Sequence, residues 1–463
     1  MADDDGFDVI VIGTGPGGYV AAVRAAQLDL KTAVVEKDAV GGRCLNYACI
    51  PAKAVLHSAG VYDETQQHAA DVGIQIEGAS IDWEKVGERR SKVIETLTGG
   101  VTSLFKKHDI TVLNGIAKLA GDGKIEVDGE DEGTYTAEKG ILLATGSVAL
   151  PVPGTEFGGR VLDTWGAWSL EELPSSIAII GSGASGSEVA SAYGRMGVEV
   201  HLIEMLDQIL PAEDADCAKV VQRAFKKQNI NVLTGTKVED VEPGEDSVKL
   251  TVGDDQIEVD YLCIAAGRKP DVEALGLDDA GVETDDETGK VTIDEYQQTS
   301  ADGIWAIGDL VRGPALAHKS SEEGVIAVER MAGHDTHPLD PDLVPGATFC
   351  QPQVASVGMT EAEAKESGRD IKVGKFQLGG VGAGTIYDDR RGIVKIIGDT
   401  EYGEIIGAHI VGNTACDMIS EIVNVIALEG GYPELARIIH PHPTISEAVL
   451  DGARAVTDWA IHA

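Results

Sequence analysis

Basic residues are scarce: 37 Lys and Arg stand against 77 Asp and Glu, a formal net charge of -40. So negative a surface repels phosphate backbones and anionic headgroups, which excludes nucleic acid and acidic membranes as partners. Cysteine is scarce too, six in 463 residues, too few for the framework of a small secreted domain. Four of them, Cys217, Cys263, Cys350 and Cys416, are isolated in sequence and read as buried small hydrophobes. No apolar run approaches the ~20 residues of a membrane-spanning helix. The opening Met-Ala-Asp-Asp-Asp-Gly-Phe-Asp carries acid where a secretory or mitochondrial leader carries base, so a cytoplasmic protein is expected. The acids are spread along the chain rather than gathered in a tail. Such a surface is similar to those of proteins from salt-loving organisms, where concentrated cations screen self-repulsion, and the expectation is a halophilic fold that needs molar salt.

What is plentiful is glycine, 57 residues, and its placement is informative. The apolar run 8–12 leads into Gly13-Thr14-Gly15-Pro16-Gly17-Gly18, then an alanine-rich helical pattern, then a second strand, 32–35, that ends at Glu36. Gly13, Gly15 and Gly18 permit a tight turn, close approach of a pyrophosphate and close packing of helix on sheet, while Glu36 can accept from ribose hydroxyls. The unit recurs. Strand 176–180, Gly181-Ser182-Gly183-Ala184-Ser185-Gly186, a helix, and strand 198–203 ending at Glu204 repeat the arrangement with an offset of 168 residues. Gly181, Gly183 and Gly186 predict a second dinucleotide site. Glu204 favours NAD, because a carboxylate repels a ribose 2'-phosphate. Strands 140–144 and 261–265 lead into Thr145-Gly146 and Gly267, and strand 304–307 into Gly308-Asp309. The first two read as strands reaching a cofactor edge; Asp309 could meet a polyol chain or ribose, but from that segment alone an ordinary strand-end turn is the favoured reading. A helix is expected over 86–107, with short strands from 110 to 136. From about residue 343 strands alternate with helices, including strands 392–397 and 405–411 and a helix over 416–430, and no glycine fingerprint occurs.

The stretch Gly41-Gly42-Arg43-Cys44-Leu45-Asn46-Tyr47-Ala48-Cys49-Ile50-Pro51-Ala52-Lys53 holds two thiols five positions apart. Such a pair can cycle between dithiol and disulfide. On an ideal helix they would rise ~7.5 Å along the axis, already beyond the ~7 Å limit for bridging. A helix is therefore expected to begin near Cys49, with Cys44 in an irregular turn before it, and its N-terminal amides would favour a Cys49 thiolate. Two ordinary buried thiols are the bland alternative. Near the end, Glu447 is close enough to orient His442, whose flanking prolines restrain the backbone; a lone His near a Glu is more often structural.

Together these motifs closely resemble the flavin-dependent pyridine nucleotide disulfide oxidoreductases over essentially the whole chain. Ala317-His318-Lys319 with Glu322-Glu323-Gly324 looks like the lipoamide-using branch more than the glutathione reductases. The resemblance implies an α/β fold of two Rossmann-like dinucleotide-binding domains and a C-terminal α+β dimerisation domain. Expected boundaries are 1–150 and 273–342 for FAD, 151–272 for NAD and 343–463 for the interface of a homodimer. FAD would lie on Gly13, Gly15, Gly18, Glu36, Thr145, Gly146, Asp309 and Ala317; NAD on Gly181, Gly183, Gly186, Glu204 and Gly267. By the same resemblance Cys44 is the sulfur facing a lipoyl-bearing or small dithiol substrate and Cys49 the one facing flavin. His442 is the base, Glu447 its partner, and Lys53 with Glu188 a flavin-side ion pair. The base would cross from the second subunit. Departures are Ala48 and Ala52 for the usual glycine and serine, and Ala184-Ser185 where relatives carry bulkier residues over the flavin. No extra cysteine pair ends the chain, which argues against mercuric and large thioredoxin reductases. Two other readings stand beside dithiol oxidation: an NADH-dependent reductase of another small disulfide, and a non-catalytic flavin-binding scaffold.

Overall fold

The structure is a computed structural model that describes residues 6–462; the acidic residues 1–5 and Ala463 lie outside them. The chain divides into two compact units, the first made of Met1–Ala54, Lys85–Leu150 and Gly267–Asp340. Its parallel sheet runs in the order Thr111–Gly121, Thr32–Glu36, Gly6–Ile12, Gly133–Leu143, Ile304–Ala306. Val9, Ile10 and Val11 are fully buried, as a central parallel strand covered on both faces requires. The first and fourth of these strands run on beyond the sheet and pair antiparallel with Lys124–Gly129. The segment expected as a separate strand over 140–144 is therefore the end of one 11-residue strand, Gly133–Leu143. Helix Pro16–Gln27 starts on a proline, which suits a first-turn position that donates no hydrogen bond. It packs on helix Ala317–Met331 through small residues: a Cβ on Gly324 would stand 2.7 Å from the Gly17 carbonyl oxygen. Helix Trp83–Lys107 begins three residues earlier than its sequence pattern suggests.

The second unit comprises Val55–Glu84, Pro151–Ala266 and Pro341–Ala463. Its parallel sheet, Ile230–Leu233, Glu199–Ile203, Ser176–Ile180, Tyr261–Ile264 and Val161–Leu162, repeats the first in its core. A second sheet is antiparallel, Gly346–Thr348, Gln353–Gly358, Ile405–Gly412, Ile393–Asp399 and Ile371–Gln377. Helices Ala415–Ala427 and Glu447–Ala455 bury Met418, Ile419, Ile422, Val449 and Ala453 in its core.

One buried cation ties parts of this unit together. Lys395, 1% exposed, places Nζ 2.7 Å from Asp214, 2.9 Å from Asp216 and 2.7 Å from Glu361. Asp214 also caps helix Ala215–Phe225 by accepting from the Asp216 amide. Burial pushes the Asp216 carboxyl up, but Lys375 and Lys395 outweigh it and hold the group at about 2. Hydrogen bonds from Lys365 and Lys395 hold Glu361 at about 2. Both groups therefore stabilise the fold fully above their ordinary values near 4, and that contribution fades as pH falls toward 2. Lys395→Met leaves the buried Asp214 without its cation while Asp216 keeps Lys375 and Glu361 keeps Lys365, and is expected to cost about 3–5 kcal/mol, read as a lower urea midpoint, with the loss largest at neutral pH and shrinking below pH 4.

Candidate active site

In the first unit, Gly13 has φ +103°, a conformation side chains resist, and a Cβ on Gly18 would lie 2.0 Å from the Gly13 carbonyl oxygen. A Cβ on Gly15 meets nothing within 4 Å, so the backbone there is open to a ligand. The Glu36 carboxylate accepts from the Thr14 amide at 3.1 Å and from the Thr14 hydroxyl. The second unit repeats each feature 168 residues on. Gly181 has φ +95°, a Cβ on Gly186 would lie 1.9 Å from the Gly181 oxygen, and Gly183 is open. Glu204 accepts from the Ser182 amide and hydroxyl at 2.9 and 2.8 Å. Two 12-residue helices thus present free N-terminal amides beside an open glycine, with a fixed carboxylate at the adjacent strand end. This donor set fits two dinucleotides. Thr14 and Ser182 escaped the sequence reading, although hydroxyls at the same place in the repeat were a signal for them.

The redox stretch is built onto the first of these turns. The Gly41 amide donates to the Thr14 hydroxyl at 3.1 Å, and a Cβ on Gly42 would lie 2.6 Å from the Gly15 Cα. Gly41 at φ +98° and Gly42 at +57° start a five-residue helix, Gly42–Asn46, that carries Cys44. Tyr47 and Ala48 interrupt it before helix Cys49–Asp63 begins. Cys44 is therefore in a short helical turn, not the irregular one expected, and the break at 47–48 is what lets the two Cα atoms approach to 4.7 Å and the sulfurs form a disulfide. Lys53 lies in the first unit's share of helix Cys49–Asp63. Of the other cysteines, Cys217, Cys263 and Cys350 are buried thiols and Cys416 is half-buried.

Also in the first unit, the Thr145 hydroxyl donates to the Asp271 carbonyl at 2.6 Å, and Gly146, at φ +76°, accepts from the Asp271 amide at 3.0 Å. Asp309 accepts from the Ser147 hydroxyl. The preceding Gly308 amide donates to Glu323 at 2.7 Å, and Glu323 pairs with Lys319 at 2.7 Å, both buried. Burial raises the Glu323 carboxyl against the pull of Lys319. This pair braces the turn that presents Asp309, beside helix Ala317–Met331, whose first residue is Ala317. Gly267, expected with the NAD set, lies in the first unit and accepts from the Leu150 amide.

The remaining candidates are in the second unit. Glu188 is buried and accepts from the Phe349 amide at 2.9 Å. Ala184 and Ser185 are exposed. His442 Nδ1 sits 2.9 Å from Glu447, which also accepts from the Thr444 amide at 3.0 Å. Burial raises the Glu447 carboxyl, but the Thr444 amide and His442 prevail and hold it below its ordinary value. The imidazole is 74% exposed, so with Nδ1 on the carboxylate its Nε2 faces outward.

Residues 7–324 match the family model described as pyridine nucleotide-disulphide oxidoreductase, and residues 344–453 match that family's dimerisation domain. The chain belongs to the pyridine nucleotide-disulphide oxidoreductase family. Its glycine turns fit the FAD and NAD this family uses, and its disulfide is the family's redox-active pair. Among curated relatives it is 41% identical to dihydrolipoyl dehydrogenase of Bacillus subtilis, covering 98% of this chain and 99% of that one. It is 40% identical to the mitochondrial dihydrolipoyl dehydrogenase of Pisum sativum, covering 99% and 93%. The crystal structure of LpdA from Mycobacterium tuberculosis superposes with a TM-score of 0.89 at 26% identity, over 96% of this chain and 99% of that one. No helix among the described residues is long and apolar enough to cross a membrane.

Proposed function

We infer that this oxidoreductase oxidises dihydrolipoamide to its disulfide and passes the electron pair to NAD. The observation that carries the reading is the Cys44–Cys49 disulfide mounted on the first glycine turn, in a chain whose full-length relatives include dihydrolipoyl dehydrogenases. In this reading His442 Nε2 takes the proton of a substrate thiol while Glu447 holds Nδ1–H and stabilises the imidazolium. The substrate thiolate attacks Cys44 Sγ, a mixed disulfide forms and Cys49 leaves as thiolate. The second substrate thiol then attacks its own mixed-disulfide sulfur and releases Cys44. Lipoamide departs oxidised, and the protein is left with two reduced sulfurs and one proton per thiol. When bound, FAD supplies the two-electron carrier between these sulfurs and NAD. Gly13, Gly15, Gly18, Glu36, Thr145, Gly146, Asp309 and Ala317 would hold it; Gly181, Gly183, Gly186, Glu204 and Gly267 would hold NAD; Lys53 and Glu188 would tune the ring. His442 and Cys44 would meet across a homodimer. The substrate would be a lipoyl-bearing protein, and the location the cytoplasm, where the remaining thiols stay reduced. An assay of NADH formation from dihydrolipoamide, with glutathione and cystine systems alongside, tests this; preference for another thiol would refute it.

The charge of -40 supports a salt requirement. Raising KCl from about 0.1 to about 1 M shrinks the screening length from ~10 to ~3 Å, and the thermal midpoint is expected to climb steeply over that range. A flat melting curve across salt would end the halophilic proposal.

A further inference from the structure

His440 has no part in the chemistry above, yet it is the one inward-turned side chain of an exposed segment. Ile438 is 42% and Ile439 95% exposed, Pro441 and His442 are exposed, and the His440 side chain is 4% exposed. Its Nδ1 lies 3.0 Å from the Ile438 carbonyl oxygen and its Nε2 is bonded to Glu421, on helix Ala415–Ala427. A carbonyl and a carboxylate only accept, so both ring nitrogens must donate, and the ring is an imidazolium. The Glu421 hydrogen bond, prevailing over burial, accordingly raises this group above the ordinary histidine value.

We propose that His440 is a positioning residue for the His442–Glu447 pair, clamping the segment that carries the base and setting a fixed positive charge beside it. The proposal rests on the reading of His442 as the base. The charged groups facing His440 are Glu421 from helix Ala415–Ala427 and Glu447 from helix Glu447–Ala455, with His442 on its own segment. Only Pro441 separates the two histidines, and its fixed φ passes the orientation of one to the other. The far side of the segment is pinned by Thr444, whose hydroxyl donates to the Pro441 carbonyl at 2.8 Å and whose amide donates to Glu447. Glu447 thus closes the segment at one end as His440 does at the other, and the imidazolium favours the ionised form of Glu447.

His440→Gln keeps a polar side chain but loses the charge and one of the two hydrogen bonds; Glu421→Gln leaves the clamp in place with its acid neutralised. Both are made in the full-length holoenzyme. A base displaced by ~1 Å costs up to ~100-fold. The expected result for His440→Gln is therefore a tenfold or greater drop in kcat with dihydrolipoamide at nearly unchanged KM, and a smaller drop for Glu421→Gln. Removing a neighbouring cation also raises the His442 titration midpoint, followed residue by residue through deuterium exchange at the imidazole C2 and mass spectrometry. A mere packing role would leave that midpoint where it is. The proposal is overturned if the His442 midpoint stays within error of the parent in both variants, or if kcat stays within twofold in both. The titration needs no substrate, so it reports on His440 even if dihydrolipoamide proves to be the wrong thiol. That separate failure would appear as an inactive parent protein with a normal His442 titration.

Discussion

Cys44→Ser protein turns over dihydrolipoamide at least about 10⁴-fold more slowly than its parent, because the substrate thiolate loses the only sulfur it can attack and no other group in the pair can form the mixed disulfide. Cys49→Ser fails as completely for a different reason: Cys44 loses its disulfide partner, so its sulfur is already reduced and cannot take the substrate's electron pair. The two variants are told apart by mass. Incubated with oxidised lipoamide, whose disulfide the Cys44 thiolate opens to form a mixed disulfide with release of the second lipoyl sulfur as thiolate, the Cys49 variant gains one adduct, held through Cys44, while the Cys44 variant gains none. The glycine turns at 13–18 and 181–186 are untouched by either change, so NADH still bleaches the flavin absorbance in both. Loss of that bleaching would mean that the cysteines support the cofactor site and that the turnover defect has a structural origin.

His442→Gln lowers kcat with dihydrolipoamide by about 10²–10⁴-fold, the range expected when a positioned base is lost. Glu447→Gln costs less, since the imidazole remains and only its orientation and charge partner change. The sign of the pH dependence follows from Glu447. Its carboxyl is held below the ordinary glutamate value of about 4.3 by the Thr444 amide and His442 acting against burial. The ionised pair therefore survives throughout the range above that value, and the pair's contribution is lost only as pH falls through the depressed one. Because His442 is 74% exposed in one chain, the proposed dimer has a direct consequence. Mixing Cys44→Ser with His442→Gln protomers restores about a quarter of parental activity, since half of randomly paired dimers carry one intact site of two. No recovery on mixing would place both groups in one chain.

Local patterns in the sequence carried most of this. The 168-residue offset placed Gly13 with Gly181 and Glu36 with Glu204 because backbone conformation and close packing at those turns admit few other residues. The Cys44–Cys49 spacing forbade one continuous helix, and the break at Tyr47-Ala48 is where the structure satisfies that constraint. The helical turn at Gly42–Asn46 was missed, because two glycines of positive φ are a poor signal for a helix start. Contacts between distant positions were not legible at all. Lys395 with Asp214, Asp216 and Glu361, and His440 with Glu421, join residues on separate elements whose pairing depends on the sheet's register and on how helices lie across it. The apolar run Ile393-Val394-Lys395-Ile396-Ile397 hints that Lys395 is buried, but nothing local names the carboxylates it meets.

The most direct test is a single-turnover experiment on the FAD-loaded dimer in molar KCl. Enzyme in excess over dihydrolipoamide is mixed anaerobically with that substrate and NAD, and NADH absorbance is followed while the thiols are trapped with iodoacetamide. The account predicts NADH and oxidised lipoamide in equal amounts, with Cys44 alkylated ahead of Cys49 in the reduced enzyme. NADH formation that persists after Cys44 and Cys49 are both replaced would contradict it, because the electrons would then be reaching NAD by a route that bypasses the disulfide.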